Sequence, residues 1–262
     1  MYRASPNEGI AWITGASSGI GRGVAIELAR RGYRVAATAR RADLLAVLAR
    51  EAQGFGGDIS AHPADVTDAS GIAAAINEIE TSRGAIVLAF LNAGSYFIDA
   101  PESFGGEGFR RTFELNVGGT ANCLGPVLRS MRPRGRGQIA INASLAGYGG
   151  LPQAAAYGAS KAALINLAES LRLSLAATGI SIQVVTPGFV RTPMNAQNKY
   201  PMPFTLPADD AARRICEGFE RGGFEITFPK RLAWPMKAIN LLPYPLYFWI
   251  VGRLTGGHGR AR

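Results

Sequence analysis

The feature that most constrains the fold is a regular alternation of short apolar runs with longer segments whose apolar residues recur at helical spacing. The short runs span residues 10–13, 35–38, 59–62, 86–91, 138–142, 181–185 and 224–228. The longer segments include residues 21–31, 42–52, 70–81, 109–131, 155–177 and 208–221. Most of the short runs are apolar throughout, as is typical of strands covered on both faces. The pattern predicts an α/β fold, a doubly wound parallel sheet of about seven strands with helices on both faces.

Composition favours one globular domain. The chain has 262 residues, 47% hydrophobic and 18% charged, which excludes intrinsic disorder. No linker-like stretch interrupts residues 1–229, so we expect one domain there, followed by a C-terminal extension over residues 230–262. The two cysteines, Cys123 and Cys216, are too few for a disulfide scaffold or a four-cysteine zinc site. We expect structural thiols in a reducing compartment and no metal site.

The net charge of +9 is unevenly distributed. Residues 1–189 contain 17 basic and 14 acidic side chains, and residues 190–229 contain five of each. Residues 230–262 contain six basic side chains and no carboxylate. Because the basic residues of the extension surround an apolar stretch and match no nucleic-acid-binding module, we predict no nucleic-acid partner.

The beginning of the chain resembles no targeting segment. The first eight residues are polar, and the apolar run after them is too short for a secretory signal. No uninterrupted stretch of about 18–20 apolar residues is present, so we expect no membrane-spanning helix. These observations predict a cytoplasmic location, with peripheral membrane contact through the extension as an open alternative.

A glycine-rich turn, residues 14–21, follows the first predicted strand and reads Thr-Gly-Ala-Ser-Ser-Gly-Ile-Gly. Glycines let a backbone approach a pyrophosphate, and the free amides at the start of the next helix favour an anion. Such a turn alone also fits an ordinary tight turn, but its place between a first strand and a helix predicts a dinucleotide site. The candidate binding residues are Gly15, Ser17, Ser18, Gly19, Ile20 and Gly21.

The end of the second predicted strand indicates which dinucleotide binds. NAD sites usually carry a carboxylate there for the ribose 2′-hydroxyl, whereas NADP sites place arginine near the 2′-phosphate. Here the strand is followed by Ala39, Arg40 and Arg41. Guanidinium groups suit phosphate, so the sequence favours NADP(H). The alternative is that both arginines merely begin a solvated helix.

Three residues predict acid–base chemistry. Lys161 lies four residues after Tyr157, which puts both on one face of a helix, and Ser144 follows a buried strand at the edge where open α/β sheets bind ligands. A nearby ammonium lowers the pKa of a tyrosine from about 10, and a serine can donate to a developing oxyanion. The spacing of Tyr157 and Lys161 is common, and a half-buried tyrosine beside a solvated lysine is the alternative.

The combined motifs resemble those of the short-chain dehydrogenases/reductases over about residues 8–228. They are Thr14-Gly15-x-x-x-Gly19-Ile20-Gly21, Asn92-Ala93-Gly94, Asn116, Ser144, Tyr157-x-x-x-Lys161 and Pro187-Gly188-x-x-x-Thr192. The resemblance implies a Rossmann-like fold, hydride transfer between a carbonyl and an alcohol, and a homo-oligomer, usually a dimer or tetramer. One departure is Leu91, where the family commonly has asparagine, and it bears on local sheet packing more than on chemistry.

The resemblance also implies catalytic roles. Tyr157 would be the acid–base, Lys161 would lower its pKa and hold the nicotinamide ribose, and Ser144 would polarise the substrate carbonyl. Asn116 would hold a water in the proton relay from the lysine to solvent.

Further positions correspond to cofactor contacts of the family. Asp65 and Val66 would contact the adenine, and Asn92, Ala93 and Gly94 the adenosine ribose. Pro187, Gly188, Val190 and Thr192 would hold the nicotinamide carboxamide. Arg40 lies one place after the acidic position of NAD-preferring members.

The extension and the preceding lid region bear on the substrate. Residues 238–251 are mainly apolar and aromatic, are interrupted by Pro243 and Pro245, and lie between two basic residues. Three interpretations compete for this segment. It covers the substrate cleft or the subunit core, it packs on a partner subunit, or it contacts a membrane surface or takes up a lipid-like substrate there. Residues 256–262 are expected to fray. The lid, residues 192–207, contains two methionines, Tyr200 and Phe204 and no cluster of cations, which predicts an apolar substrate.

Two functions follow. The first is an NADP(H)-dependent carbonyl reductase or alcohol dehydrogenase acting on a long-chain, steroid-like or acyl substrate. The second is a non-catalytic NADP-binding regulator or scaffold on the same fold, which we would expect to lack the serine, the tyrosine or the lysine.

Overall fold

Seven parallel strands form one sheet in the computed structural model, which describes residues 1–97, 105–195 and 202–255. The strands are β1 (Ile10–Thr14), β2 (Arg34–Thr38), β3 (Asp58–Ala61), β4 (Ile86–Leu91), β5 (Gly137–Asn142), β6 (Ile180–Pro187) and β7 (Glu225–Phe228). Their order across the sheet is β3-β2-β1-β4-β5-β6-β7. The predicted doubly wound α/β fold is confirmed, with strand ends within two residues of the apolar runs.

Helices cover both faces of the sheet. They are α1 (Gly19–Arg30), α2 (Ala42–Glu51), α3 (Ala69–Arg83), α4 (Gly106–Phe113), α5 (Gly119–Met131), α6 (Ala155–Ser174), α7 (Ala208–Arg221), α8 (Lys230–Asn240) and α9 (Tyr244–Leu254). Helices α1, α2 and α7 contribute to one hydrophobic core, and α3, α5 and α6 to the other. Alternate residues of β1 enter opposite cores, Ile13 the first and Trp12 the second, as the two-residue period of a strand requires. Each core also contains one buried free thiol, Cys216 in the first and Cys123 in the second.

The sheet reverses its strand order between β1 and β4. Strands β2 and β3 lie on one side of β1, and the chain then crosses to β4 on the other side. Because such a switch point opens a crevice beyond the carboxyl ends of the strands, ligands of open α/β sheets bind there. Leu91 ends β4 in this region; it is 2% exposed and pairs with Ile141 of β5, so the sheet accommodates the unusual residue.

The helix expected over residues 109–131 is divided. Helix α4 continues into a π-helical turn, Glu114–Gly118, and then into α5. π-Helical turns insert one extra residue and occur often at functional sites. The candidate residue Asn116 lies within this turn.

The C-terminal extension forms two helices that the sequence pattern did not predict. Pro243 is the N-cap of α9 and Pro245 lies in its first turn, where a helix needs no backbone donor. The prolines that interrupt the apolar stretch therefore help to separate two helices. Residues 256–262, expected to fray, lie outside the described residues. Among the described helices, none has the length and apolar character needed to cross a bilayer.

Candidate active site

The glycine-rich turn connects β1 to α1 with a backbone that favours glycine. Gly15 and Gly19 have φ values of +66° and +55°, in the left-handed region. A Cβ atom on Gly21 would lie 2.4 Å from the carbonyl oxygen of Gly15. Ser18, the N-cap of α1, makes no side-chain capping bond, so the first amides of this helix remain available to an anion.

A cleft of about 290 Å³ lies between this turn and the carboxyl ends of the strands. All the predicted cofactor-binding residues except Gly21 line it; Gly21 packs directly behind Gly15. The lining residues among them are Gly15, Ser17, Ser18, Gly19, Ile20, Arg40, Arg41, Asp65, Val66, Asn92, Ala93, Gly94, Tyr157, Lys161, Pro187, Gly188, Val190 and Thr192. The fold therefore brings sequence-distant candidates to one cleft.

Two guanidinium-bearing residues, Arg40 and Arg41, line this cleft. The side chain of Arg40 is 72% exposed, and its Nη1 is 3.8 Å from Oδ2 of Asp65. Nη2 of Arg41 donates to the hydroxyl oxygens of Ser17 and Ser18, at 3.0 and 3.3 Å. Arg41 therefore contacts the glycine-rich turn itself, while the guanidinium of Arg40 remains largely open to solvent.

Polar side chains join the carboxyl ends of β1, β4 and β5. The hydroxyl oxygen of Thr14 accepts from the backbone amides of Asn92 and Ala93, at 2.9 and 3.1 Å. Nδ2 of Asn142 donates to Oδ1 of Asn92 at 2.8 Å. Oδ1 of Asn142 is buried and has no hydrogen-bond partner among the described residues. A buried acceptor on the cleft wall fits a donor hydroxyl of a bound nucleotide.

Lys161 is buried beside Tyr157. It is 4% exposed, and its Nζ donates to the backbone oxygen of Asn142 at 2.8 Å. The same nitrogen lies 5.6 Å from the centroid of the Tyr157 ring. Burial lowers the pKa of Lys161 from 10.5 to about 8, so the side chain is still mainly an ammonium at neutral pH. The ring of Tyr96 contacts that of Tyr157 edge-on, with centroids 5.1 Å apart.

Ser144 follows β5 and is the N-cap of a short 3-10 turn, Leu145–Gly147. Its hydroxyl oxygen accepts from the amide of Ala146 at 3.1 Å and lies 3.5 Å from the carbonyl oxygen of Pro187. The hydroxyl faces the cleft with only a long contact for its proton, so it can donate to a ligand oxygen.

Asn116 is fully buried, and both the oxygen and the nitrogen of its side-chain amide form hydrogen bonds with protein groups. Nδ2 donates to the carbonyl oxygen of Ser95 and to the hydroxyl of Ser160, both at 3.0 Å. Oδ1 accepts from the amide of Ser95 at 2.8 Å. The side chain therefore joins the loop after β4 to α6, and a water held by Asn116 stays a prediction.

A larger apolar cavity of about 860 Å³ adjoins the cleft. Ser144, Tyr157, Gly188 and Asn195 line both spaces, so the cleft and the cavity meet at the serine and the tyrosine. Of the lid residues, Met202 and Phe204 line the cavity, Met194 lines the cleft instead, and Tyr200 lies outside the described residues. Helices α8 and α9 supply much of the remaining wall.

Sequence reasoning missed several residues of this region. The hydroxyl of Ser160 accepts a hydrogen bond from Asn116, and the backbone oxygen of Asn142 accepts one from Lys161. The ring of Tyr96 packs on that of Tyr157. Ser160 immediately precedes the lysine and Asn142 ends a predicted strand, so both could have been inferred from position. The contact of Tyr96 depends on a loop with no regular pattern and had no such signal.

Comparison with known proteins identifies the family of this chain. The sequence profile described as short chain dehydrogenase matches residues 9–202. An uncharacterized oxidoreductase from Myxococcus xanthus is 40% identical over 237 residues, 90% of this chain and 94% of that protein. A putative ketoacyl reductase from Streptomyces coelicolor is 33% identical over 195 residues, 74% of this chain and 75% of that protein.

A solved structure shares the fold over most of the chain. A variant of actinorhodin polyketide ketoreductase, determined with NADPH, aligns with a TM-score of 0.78 and 26% identity. The alignment covers 88% of this chain and 99% of that one. The chain therefore belongs to the short-chain dehydrogenase/reductase family and is an oxidoreductase that acts on alcohol or carbonyl groups with a nicotinamide cofactor.

Proposed function

We propose that the protein is an NADP(H)-dependent oxidoreductase that interconverts a carbonyl and an alcohol on an apolar small molecule. The observation that carries this proposal is the shared wall of the two spaces. Ser144 and Tyr157 line both the 290 Å³ cleft beneath the glycine-rich turn and the 860 Å³ apolar cavity. A substrate oxygen in the cavity can therefore reach both hydroxyls while its carbon faces the cleft.

Tyr157 and Ser144 would act on the substrate oxygen. A bound nicotinamide cofactor supplies or accepts the hydride at the neighbouring carbon. In the reducing direction Tyr157 donates its hydroxyl proton to the oxygen as negative charge develops there. Ser144 donates a hydrogen bond to the same oxygen, which stabilises the charge in the transition state.

Lys161 would prepare Tyr157 for proton transfer. Its ammonium lies 5.6 Å from the ring centroid and is held by the carbonyl oxygen of Asn142. Because the ammonium is buried, its field is screened less than it would be in water, and it favours the phenolate over the phenol. Asn116 acts at a distance from the substrate by holding the loop after β4 against α6.

The preference for NADP(H) rests on the residues after β2. Ala39 occupies the position where a carboxylate would bind a ribose 2′-hydroxyl, and Arg40 and Arg41 follow it on the cleft wall. The exposed guanidinium of Arg40 is available to a 2′-phosphate. The alternative is that both arginines merely begin the solvated helix α2. The exchange of Arg40 described in the Discussion distinguishes the two interpretations.

The remaining cofactor contacts follow from the family pattern. We assign Asp65 and Val66 to the adenine, and residues 92–94 to the adenosine ribose. We assign Pro187, Gly188, Val190 and Thr192 to the carboxamide. All three groups line the cleft.

The apolar substrate rests on the cavity wall and on the C-terminal extension. In the part of the chain that the structure describes, Arg231 is the one charged residue on that wall. The contacts of α8 and α9 favour the first interpretation of the extension, a cover over the substrate cleft. We also propose one domain over residues 1–229, a cytoplasmic location and a homo-oligomer.

A steady-state panel tests the proposal. NADPH consumption is followed with long-chain aldehydes, cyclic ketones and small polar carbonyls, and the panel is repeated with NADH. We expect the apolar carbonyls with NADPH to have the highest kcat/KM. A preference for small polar carbonyls would contradict the substrate class, and no turnover of any carbonyl would favour the non-catalytic alternative.

A further inference from the structure

Helices α8 and α9 present two different faces. The inner stripes, at helical spacing, line the apolar cavity; they are Leu232, Met236 and Ile239 of α8 and Tyr247, Val251 and Leu254 of α9. The hydroxyl of Tyr247 donates to the carbonyl oxygen of Gly150 at 2.8 Å, which fastens α9 to the body. Other large apolar residues of both helices and of the turn between them are left uncovered by the protein.

We define the outer face as Trp234, Leu241, Tyr244, Leu246, Phe248 and Trp249. Their exposed fractions are 63%, 86%, 76%, 44%, 62% and 49%. Of the thirteen exposed large apolar side chains in the described residues, six form the outer face, and a seventh, Leu254, lies beside it at the cavity. A concentration of this kind marks an interaction surface rather than ordinary surface composition.

Basic groups surround the outer face. Lys230 and Arg253 are exposed and have no acidic partner among the described residues, and Arg231 is also exposed but at the cavity wall. The guanidinium of Arg253 lies over the ring of Trp249, 4.8 Å from its centroid. Residues 230–262 contain no carboxylate at all, so nothing within the extension neutralises these charges.

The outer face is held in place before any partner arrives. Lys237 of α8 pairs with Glu225 of β7, and the hydroxyl of Tyr148 donates to the same carboxylate. Although burial opposes it, these hydrogen bonds hold the pKa of Glu225 below its usual value, so the carboxylate is charged at neutral pH. The face therefore needs little ordering on binding.

We propose that the outer face docks on an anionic lipid surface. Tryptophan and tyrosine with neighbouring cations suit the boundary between headgroups and acyl chains, and basic residues are attracted to anionic lipids. Neither helix can span a bilayer, so both would lie in the interface. A second copy of the chain fits less well, because a two-fold contact would set the same cations of both copies together without a carboxylate from either extension.

Docking would connect lipid with the cavity, and only this step rests on the proposed function. The inner stripes of the same two helices form the cavity wall, so an apolar substrate dissolved in the lipid could enter without crossing water. The membrane would then be the source of the carbonyl substrate.

The three tryptophans provide a direct readout of docking. Trp12 is fully buried in the core, whereas Trp234 and Trp249 are exposed on the outer face. We expect the emission of the full-length protein to shift to shorter wavelength with vesicles of phosphatidylcholine and phosphatidylglycerol, and the protein to sediment with them. Each basic residue near the surface should strengthen binding about fivefold, so high salt should weaken it strongly.

Two variants distinguish vesicle binding by the outer face from non-specific binding through any exposed apolar residue. Tyr244→Ser combined with Phe248→Ser keeps both reporter tryptophans and should weaken vesicle binding about tenfold or more. Leu173→Ser is the matched control, since Leu173 is an exposed apolar residue of α6, and it should bind as the original protein does. Turnover of a water-soluble carbonyl without vesicles, unchanged in both variants, would show that each is folded.

Two results would overturn the proposal. The first is absence of both the emission shift and sedimentation with the anionic vesicles. The second is a dimer in solution, without vesicle binding, that the Tyr244→Ser, Phe248→Ser variant dissociates; a second copy would then be the occupant. Loss of turnover without vesicles would contradict the proposed function and leave lipid docking intact.

Discussion

The cofactor cleft and the apolar cavity share four lining residues but are built by different means. The cleft is made of strand ends, a glycine turn and side chains with defined hydrogen bonds, such as Thr14 to Asn92 and Asn142 to Lys161. The cavity is walled by apolar side chains from loops and from α8 and α9, outside the sheet. The cleft therefore depends on short local motifs, whereas the proposed substrate site depends on elements added around them.

We expect the largest effect on activity from a change at Tyr157, which lines both the cleft and the cavity. Tyr157→Phe removes the hydroxyl to which we assign the acid–base role, and we expect kcat to fall about a thousandfold, since general acid–base catalysis contributes that order of magnitude. The affinity for NADPH, measured by fluorescence titration, should change little because the ring remains. An unaffected rate would refute the role assigned to Tyr157.

The cleft contains a buried charge, and its removal should show in the pH dependence of stability. Burial lowers the pKa of Lys161 from 10.5 to about 8, which corresponds to roughly 3 kcal/mol. Between about pH 8 and 10.5 the folded state releases this proton before the unfolded state does, so the unfolded state binds more protons and stability rises with pH. Urea unfolding across this range should show the original protein gaining about 3 kcal/mol relative to Lys161→Met. A constant difference would mean that the lysine is not desolvated.

We assign the proposed NADP(H) preference of the cleft to its exposed cations. Arg40→Ser removes a guanidinium assigned to the 2′-phosphate, and we expect KM for NADPH to rise about tenfold or more while KM for NADH stays unchanged. Arg50→Ser, at the far end of α2, is the matched control and should alter neither value. Equal losses with both cofactors would assign Arg40 a structural role.

The smallest effect concerns the cavity. Ile239→Ala removes apolar wall from the inner stripe and should lower kcat/KM for a long-chain carbonyl about tenfold, with less change for a small one. Leu241→Ala changes a residue that is 86% exposed on the other side and should leave both values unchanged. If both variants behaved alike, the cavity would not be the substrate site.

The two regions also differ in how far the sequence predicted them. The strands, the glycine turn and the tyrosine–lysine pair depend on short-range periodicity and spacing, so they could be recognised directly. The π turn at Asn116 could not, because it is one extra residue within an otherwise regular helical pattern. Helices α8 and α9 were obscured because Pro235, Pro243 and Pro245 resemble helix breakers until their positions relative to the helix ends are known.

Isotope transfer tests the central claim, that the two spaces meet at a working catalytic site, most directly. NADPH deuterated at the transferable ring position is incubated with a long-chain ketone, and the alcohol is analysed by mass spectrometry. We predict one deuterium at the carbinol carbon with the original protein and a strongly reduced yield with Ser144→Ala. Alcohol formed without deuterium, or no alcohol while NADPH still binds, would contradict the account.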